Sequence, residues 1–221
     1  MRRTMLCMLI AGGFVLSTAT QAVANPVKKR ENVVVCENAE DTANAVQFGF
    51  WFDVPRYTKR NDVHGFRWGL PFSGTSSVKG FDWSLFGSHI KSLAGLQIGT
   101  GYCGASEKSI GAQLSLGACI SGERFDGIQI SLFNKDVEHR GWQCGVVNLG
   151  DQVDGAQHGV VNIANILKGF NVGIVNIVTE RCMGPQIGLV NYSNRSNFQL
   201  GLININKNSV MPFMILFNFS K

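Results

Sequence analysis

Residues 141–192 read GWQCGVVNLGDQVD, GAQHGVVNIANILK, GFNVGIVNIVTERCM and GPQIGLVNY when cut before Gly141, Gly155, Gly169 and Gly184. Each piece runs glycine, apolar, Gln or Asn, a variable and mostly apolar residue, Gly, apolar, apolar, Asn, apolar. Working outward, the same unit begins at Gly127 (GIQISLFNK), Gly111 (GAQLSLGAC), Gly95 (GLQIGTGYC), Gly80 (GFDWSLFGS) and Gly65 (GFRWGLPFS). On the other side it recurs with Asn197 in place of the glycine (NFQLGLINI), and MPFMILFNF closes the pattern. A short fixed period of this kind decides the architecture before any other signal.

The first six positions alternate with period two and are rich in Val, Ile, Leu and Phe, which predicts a strand and not a helix. The adjacent apolar pair, Val146-Val147 or Leu189-Val190 for example, breaks the alternation and predicts a bend or bulge. Between strands an apolar residue recurs two places before the next glycine: Val63, Val78, Leu93, Phe125, Val153 and Leu167. The connecting segment therefore also feeds a core. The leading glycine suits a corner that needs positive φ or close packing.

Two all-β architectures accommodate the unit. One is a β-solenoid with about 14–16 residues per turn, in which equivalent residues stack in columns. The other is an antiparallel β-barrel of about twelve strands, supported by the aromatic C-terminal MPFMILFNFSK. Three features favour the solenoid. The linkers share one length class and one apolar position. The polar columns are homogeneous: Gln97, Gln113, Gln129, Gln143, Gln157, Gln186 and Gln199 form one, and Asn134, Asn148, Asn162, Asn176, Asn191 and Asn204 another, as amide ladders require. Cys103 and Cys119 fall at the same place in consecutive units, so stacked turns would bring them within reach of a disulfide.

Residues 1–24 have the form of a secretory signal peptide: Arg2 and Arg3, then the apolar LCMLIAGGFVL, then Ala22-Val23-Ala24 before Asn25. Residues 25–45 form an N-terminal arm or cap for the open end of the stack, and 46–221 form a single β-repeat domain. The formal charge of +5 falls to +3 without the two leader arginines. Its clusters, Lys28-Lys29-Arg30 and Arg56 to Arg60, lie in the arm and a loop, which does not make a nucleic-acid footprint. Five cysteines remain after the leader, with no CxxC or Cys/His metal spacing.

The run of xGxQIGLVN units, with GFRWGL and GFDWSLF ahead of it and a PFMILFNFS ending, resembles the leptospiral-type bacterial surface-repeat proteins. The resemblance spans about Val46 to Lys221 and implies an exported or surface-associated protein of unknown biochemical function. It supplies no catalytic residues. This chain lacks the acylated cysteine of the lipid-anchored members.

Chemistry is sparse. His64, His89 and His139 fall in linkers and read as solvated; His158 takes an apolar strand position one unit after Cys144 and reads as a buried histidine beside an inert thiol. Acidic residues sit mostly at corners, and no column of acids or phosphate loop is present. The expectation is therefore an exported structural or binding protein, not an enzyme and without cofactor or metal. It would present Gln, Asn and Gly faces to an unknown surface partner or polymer, in the periplasm, on the cell surface or at the outer membrane. An outer-membrane barrel and a polysaccharide-active β-helix are the alternatives.

Overall fold

The computed structural model describes residues 44–50 and 62–219. The leader, most of the N-terminal arm with Cys36, and the Arg56 to Arg60 cluster lie outside the described residues. All that follows lies within the unit Ala39–Lys221.

The alternating units form strands, as their β-branched and aromatic content demands. These are β1 (Asn44–Phe50), β2 (Val63–Leu70), β3 (Phe72–Ser84), β4 (Gly87–Gly99), β5 (Tyr102–Ala105) and β6 (Ser109–Ser115). They continue as β7 (Ala118–Ile130), β8 (Phe133–Ile187), β9 (Val190–Ser193), β10 (Ser196–Asn206) and β11 (Phe213–Phe219). β8 runs for 55 residues because the segments between units are themselves paired to the turns on either side. Pairing from β1 to β10 is parallel and one unit out of step: Gly65 opposes Gly80, Gly95 opposes Gly111, and Gly127 opposes Gly141. The result is a β-solenoid of about ten turns, not a barrel. The chain end departs from the repeat: β11 returns antiparallel to β10, with Asn218 opposite Gln199.

The corner glycines are dictated by sterics. From Gly65 to Gly169 they hold φ between 129° and 150°, and a Cβ at Gly95 would fall on the carbonyl oxygen of Gly80. The turns stack so closely there that only glycine fits.

The recurrent apolar residue before each glycine is inside. Val63, Val78, Ile90, Leu93, Ala105 and Phe125 form one buried cluster, and Val153, Ala164, Leu167, Val178 and Cys182 a second. What shares the interior with them corrects the sequence expectation of polar faces. The Gln column at the third position and the Asn column at the eighth are fully buried, while the apolar second, fourth and sixth positions point outward. Gln97 through Gln199 and Asn134 through Asn204 therefore present nothing to a partner. The physical reason is pairing: an amide carries both a donor and an acceptor, so a column of amides stacked at the turn spacing satisfies itself, and burial carries little penalty.

A candidate binding surface over buried ladders

The inner ladders set the shape of the outer surface. In the Gln column, from Gln113 to Gln157, the Nε2 donates to the Oε1 one turn earlier: Gln113 to Gln97 at 2.7 Å, Gln129 to Gln113 at 2.8 Å, Gln143 to Gln129 at 3.3 Å and Gln157 to Gln143 at 2.8 Å. Gln199 donates to Gln186 at 2.8 Å. Between these runs stands Asn171, one methylene shorter, and the chain of bonds breaks. Both amide atoms of Asn171 and the Oε1 of Gln157 are buried without a partner.

The Asn column uses both amide hydrogens. Asn148 Nδ2 donates to Asn162 Oδ1 at 2.8 Å and to the carbonyl of His158 at 3.0 Å; Asn162 does the same to Asn176 and Val172, both at 2.9 Å. Each side chain thus ties its own turn to the next by a side-chain and a backbone acceptor. The fifth-position glycines make room for this, since a Cβ at Gly159 would stand 2.6 Å from Asn148 Nδ2. Earlier in the chain the eighth column is Ser73, Ser88, Cys103 and Cys119. There the Cys103 thiol points at the Leu114 carbonyl, 3.3 Å away, and Cys119 at that of Ile130, 4.0 Å away. These are the fourth-position carbonyls that the asparagines serve elsewhere.

Cys103 and Cys119 oppose each other in register, yet both are free thiols, so the expected bridge is not formed. The contact with Cys119 and burial raise the Cys103 thiol far above its ordinary range, which makes it a poor nucleophile. Burial likewise raises Cys182.

Among the described residues, two buried ionic groups bond into the ladders. Arg67 and Asp82 occupy the glutamine column as a fully buried pair, 3.3 Å apart. Asp82 also accepts from Ser88 and from Gln97. Burial lowers the Arg67 pKa and raises that of Asp82, each partly opposed by the other's charge. Deeper in the stack Asp136 accepts from Gln129 and Gln143, both at 2.9 Å, and lies 2.7 Å from His139 Nδ1. His139, expected in a solvated linker, is fully buried and stacks on Phe125 with centroids 6.0 Å apart. Its thirteenth position, the column of Val153 and Leu167, is the signal that places it inside. His158 is corrected in the opposite sense: its fourth position faces out, and it is exposed.

The outer surface is the feature the sequence reading missed. The second, fourth, sixth, seventh and ninth columns point outward and are apolar almost throughout. Leu116 is 73% exposed, Leu202 57% and Trp142 49%. Among the described residues, the only ionic or imidazole side chains in these five columns are Lys135, His89 and His158. An open groove of about 560 Å³ runs along this surface over the last turns. Val172, Ile187 and Leu200 form one wall and Ile174, Leu189 and Leu202 the other, with Leu216 of β11 at the end. Charge is gathered on the remaining side, between the tenth position and the next glycine. There Arg124 pairs with Asp126 at 2.6 Å and Arg140 with Glu138 at 2.9 Å. The Arg124 guanidinium lowers the Asp126 pKa.

One side-chain constellation has the geometry of general-base chemistry. His89 Nε2 lies 2.8 Å from Ser106 Oγ, and its Nδ1 3.1 Å from Tyr102 Oη. Burial lowers the His89 pKa, favouring the neutral imidazole. The apolar groove does not reach these residues. No group of three or more His, Cys, Asp and Glu side chains placed to hold a metal ion occurs among the described residues. Neither a family model, nor a curated protein, nor a solved structure matches the chain.

Proposed function

We propose that the chain is an exported, non-catalytic repeat scaffold whose working surface is the apolar band of the solenoid and not its amide columns. The observation that carries this reading is the segregation of the exterior: five outward columns nearly free of charge, and one side that holds the ion pairs. A contiguous apolar surface of this extent marks an interaction site. The ladders beneath it make the backbone a rigid, regular support, since each turn is bonded to the next through side chains as well as main chain. Export rests on the leader-like residues 1–24, and a place at the bacterial surface on the resemblance to the surface-repeat family.

The test is a fractionation of the producing cell. Val160→Glu, Ile174→Glu and Leu189→Glu together charge three exposed neighbours of the sixth column and touch no ladder residue. The triple variant is expected to keep the wild-type circular dichroism and thermal midpoint but to move from the particulate fraction, or from its co-purifying partner, to the soluble one. Unchanged partitioning of this variant, combined with release by Glu138→Ser and Arg140→Ser on the charged side, would assign the working surface to the opposite face.

A further inference from the structure

We propose that the apolar band seats on the hydrocarbon boundary of a phospholipid bilayer, with the solenoid axis in the membrane plane and the charged side toward water. This rests on the band being the working surface and names its partner.

Size comes first. About ten turns spaced about 4.8 Å apart, each contributing an arc from the second to the ninth position at about 3.3 Å per residue, give a band on the order of 1,100 Å². The largest apolar patch on a soluble monomer is about 300–600 Å², and a standard protein interface takes about 800 Å² from each partner. The band exceeds both.

Shape separates lipid from a second copy of the chain. The sixth and seventh residues both point outward at the bend, as Val146 and Val147 do. The band therefore wraps a convex corner between two sheet faces. A flat sheet of another copy would cover the second and fourth columns or the seventh and ninth, and leave the rest in water. A fluid hydrocarbon phase conforms to both faces at once.

Polarity points the same way. Protein in contact with hydrocarbon has to satisfy its backbone groups internally. Along the sides of this solenoid the parallel turns do so, Gly80 to Gly95 and Gln113 to Gln129 alike, and the amides are turned inward. Trp142 stands at one border of the band, beside the charged side, and Tyr192 at the other, where it meets Lys207 with its Nζ 5.4 Å from the ring centroid. Amphipathic rings favour such a boundary between apolar and aqueous surroundings.

The experiment is flotation of the purified chain with phosphatidylcholine vesicles on a density gradient. The wild type is expected to float with neutral vesicles and to stay bound when salt is raised. The Val160→Glu, Ile174→Glu, Leu189→Glu variant is expected to lose about tenfold or more of the floated fraction. Three results would overturn the inference, and they differ in what else they remove. Flotation confined to anionic vesicles and abolished by salt assigns lipid contact to the charged side. No flotation, with a dimer on sedimentation that the triple variant dissociates, leaves the apolar band as working surface with a second copy as partner. No flotation and no difference between wild type and variant in any fraction removes both readings.

Discussion

From Gly65 to Asp126 the unit is 15 or 16 residues long, the bend between the fifth and eighth positions holds three residues, and the eighth column is Ser, Ser, Cys, Cys. From Gly127 to Lys168 the unit is 14 residues, the bend holds two, and the eighth column is Asn, which it remains to Asn204. The two parts fill their interiors differently. The longer turns enclose Ile90, Leu93 and Phe125 and carry Gly69, Ser84, Gly99 and Ser115 at the fifth position; after Ser131 in the first shorter turn every fifth-position residue is glycine, and the amide of the eighth fills the space. The switch falls at the turn holding Asp136 and His139, which also divides the apolar core into its two clusters. Bend length and eighth residue thus change together in the unit at Gly127, and the fifth residue is glycine from the following turn, Gly145, onward. The eighth column and the fifth position one turn on are coupled by the amide: a Cβ at Gly145 would stand 2.7 Å from Asn134 Nδ2, and one at Gly159 2.6 Å from Asn148 Nδ2.

The largest effect should come from the longer turns, where ions replace amides. Asp82→Gln leaves the Arg67 cation buried without its counter-charge and should cost about 3–5 kcal/mol in urea unfolding. Arg67→Gln with Asp82→Gln converts this stretch to the all-amide column of the later turns, and should restore wild-type stability or exceed it. A double variant as unstable as the single one would show that the ladder cannot be extended into longer turns.

A direct contrast between the two eighth columns should be smaller. Asn162→Ala strips the acceptor from Asn148 and the donors from Asn176 and the Val172 carbonyl, a loss of about 2–4 kcal/mol. Cys103→Ala removes one weak thiol contact to Leu114 and should cost about 1 kcal/mol. Amide exchange in the adjacent turns should accelerate far more for the asparagine variant. Equal protection in the two would mean that the side-chain ladder adds nothing to the main-chain pairing.

Much of this was legible from the period alone. The glycine spacing placed the corners, and the residue two before each glycine placed Val63 through Leu167 in the core. The orientation of the alternating residues was not legible, because a period of two is the same whichever face turns inward. The usual assignment of apolar residues to the interior fails here: the interior of so narrow a turn is filled by columns that bond along the axis, and amides do this where aliphatic side chains only pack. One signal did carry the answer. The consecutive apolar residues of the bend are followed by a single Asn in every later unit, and a polar residue held at one place through six turns is better explained by stacking than by solvation. The antiparallel return of β11 had no such signal, since Leu216-Phe217-Asn218-Phe219 keeps the apolar, apolar, Asn, apolar order of the parallel turns.

The smallest expected effect is a gain. Asn171 is the one residue of the later third-position column that falls short, leaving its own amide and the Gln157 Oε1 without partners, while Gln186 Nε2 reaches only the Tyr192 carbonyl at 3.4 Å. Asn171→Gln adds the missing methylene, so its Nε2 can donate to Gln157 and its Oε1 accept from Gln186, joining the two runs into one. Stability should rise by about 1–2 kcal/mol, seen as a higher urea midpoint with an unchanged slope. Asn171→Leu, similar in size but without hydrogen-bonding groups, separates pairing from filling: it should not give the gain, because the Gln157 Oε1 would still lack a partner and Gln186 Nε2 would keep only the Tyr192 carbonyl. If leucine stabilised as well as glutamine, packed volume and not amide pairing would set the strength of the third-position column in the later turns.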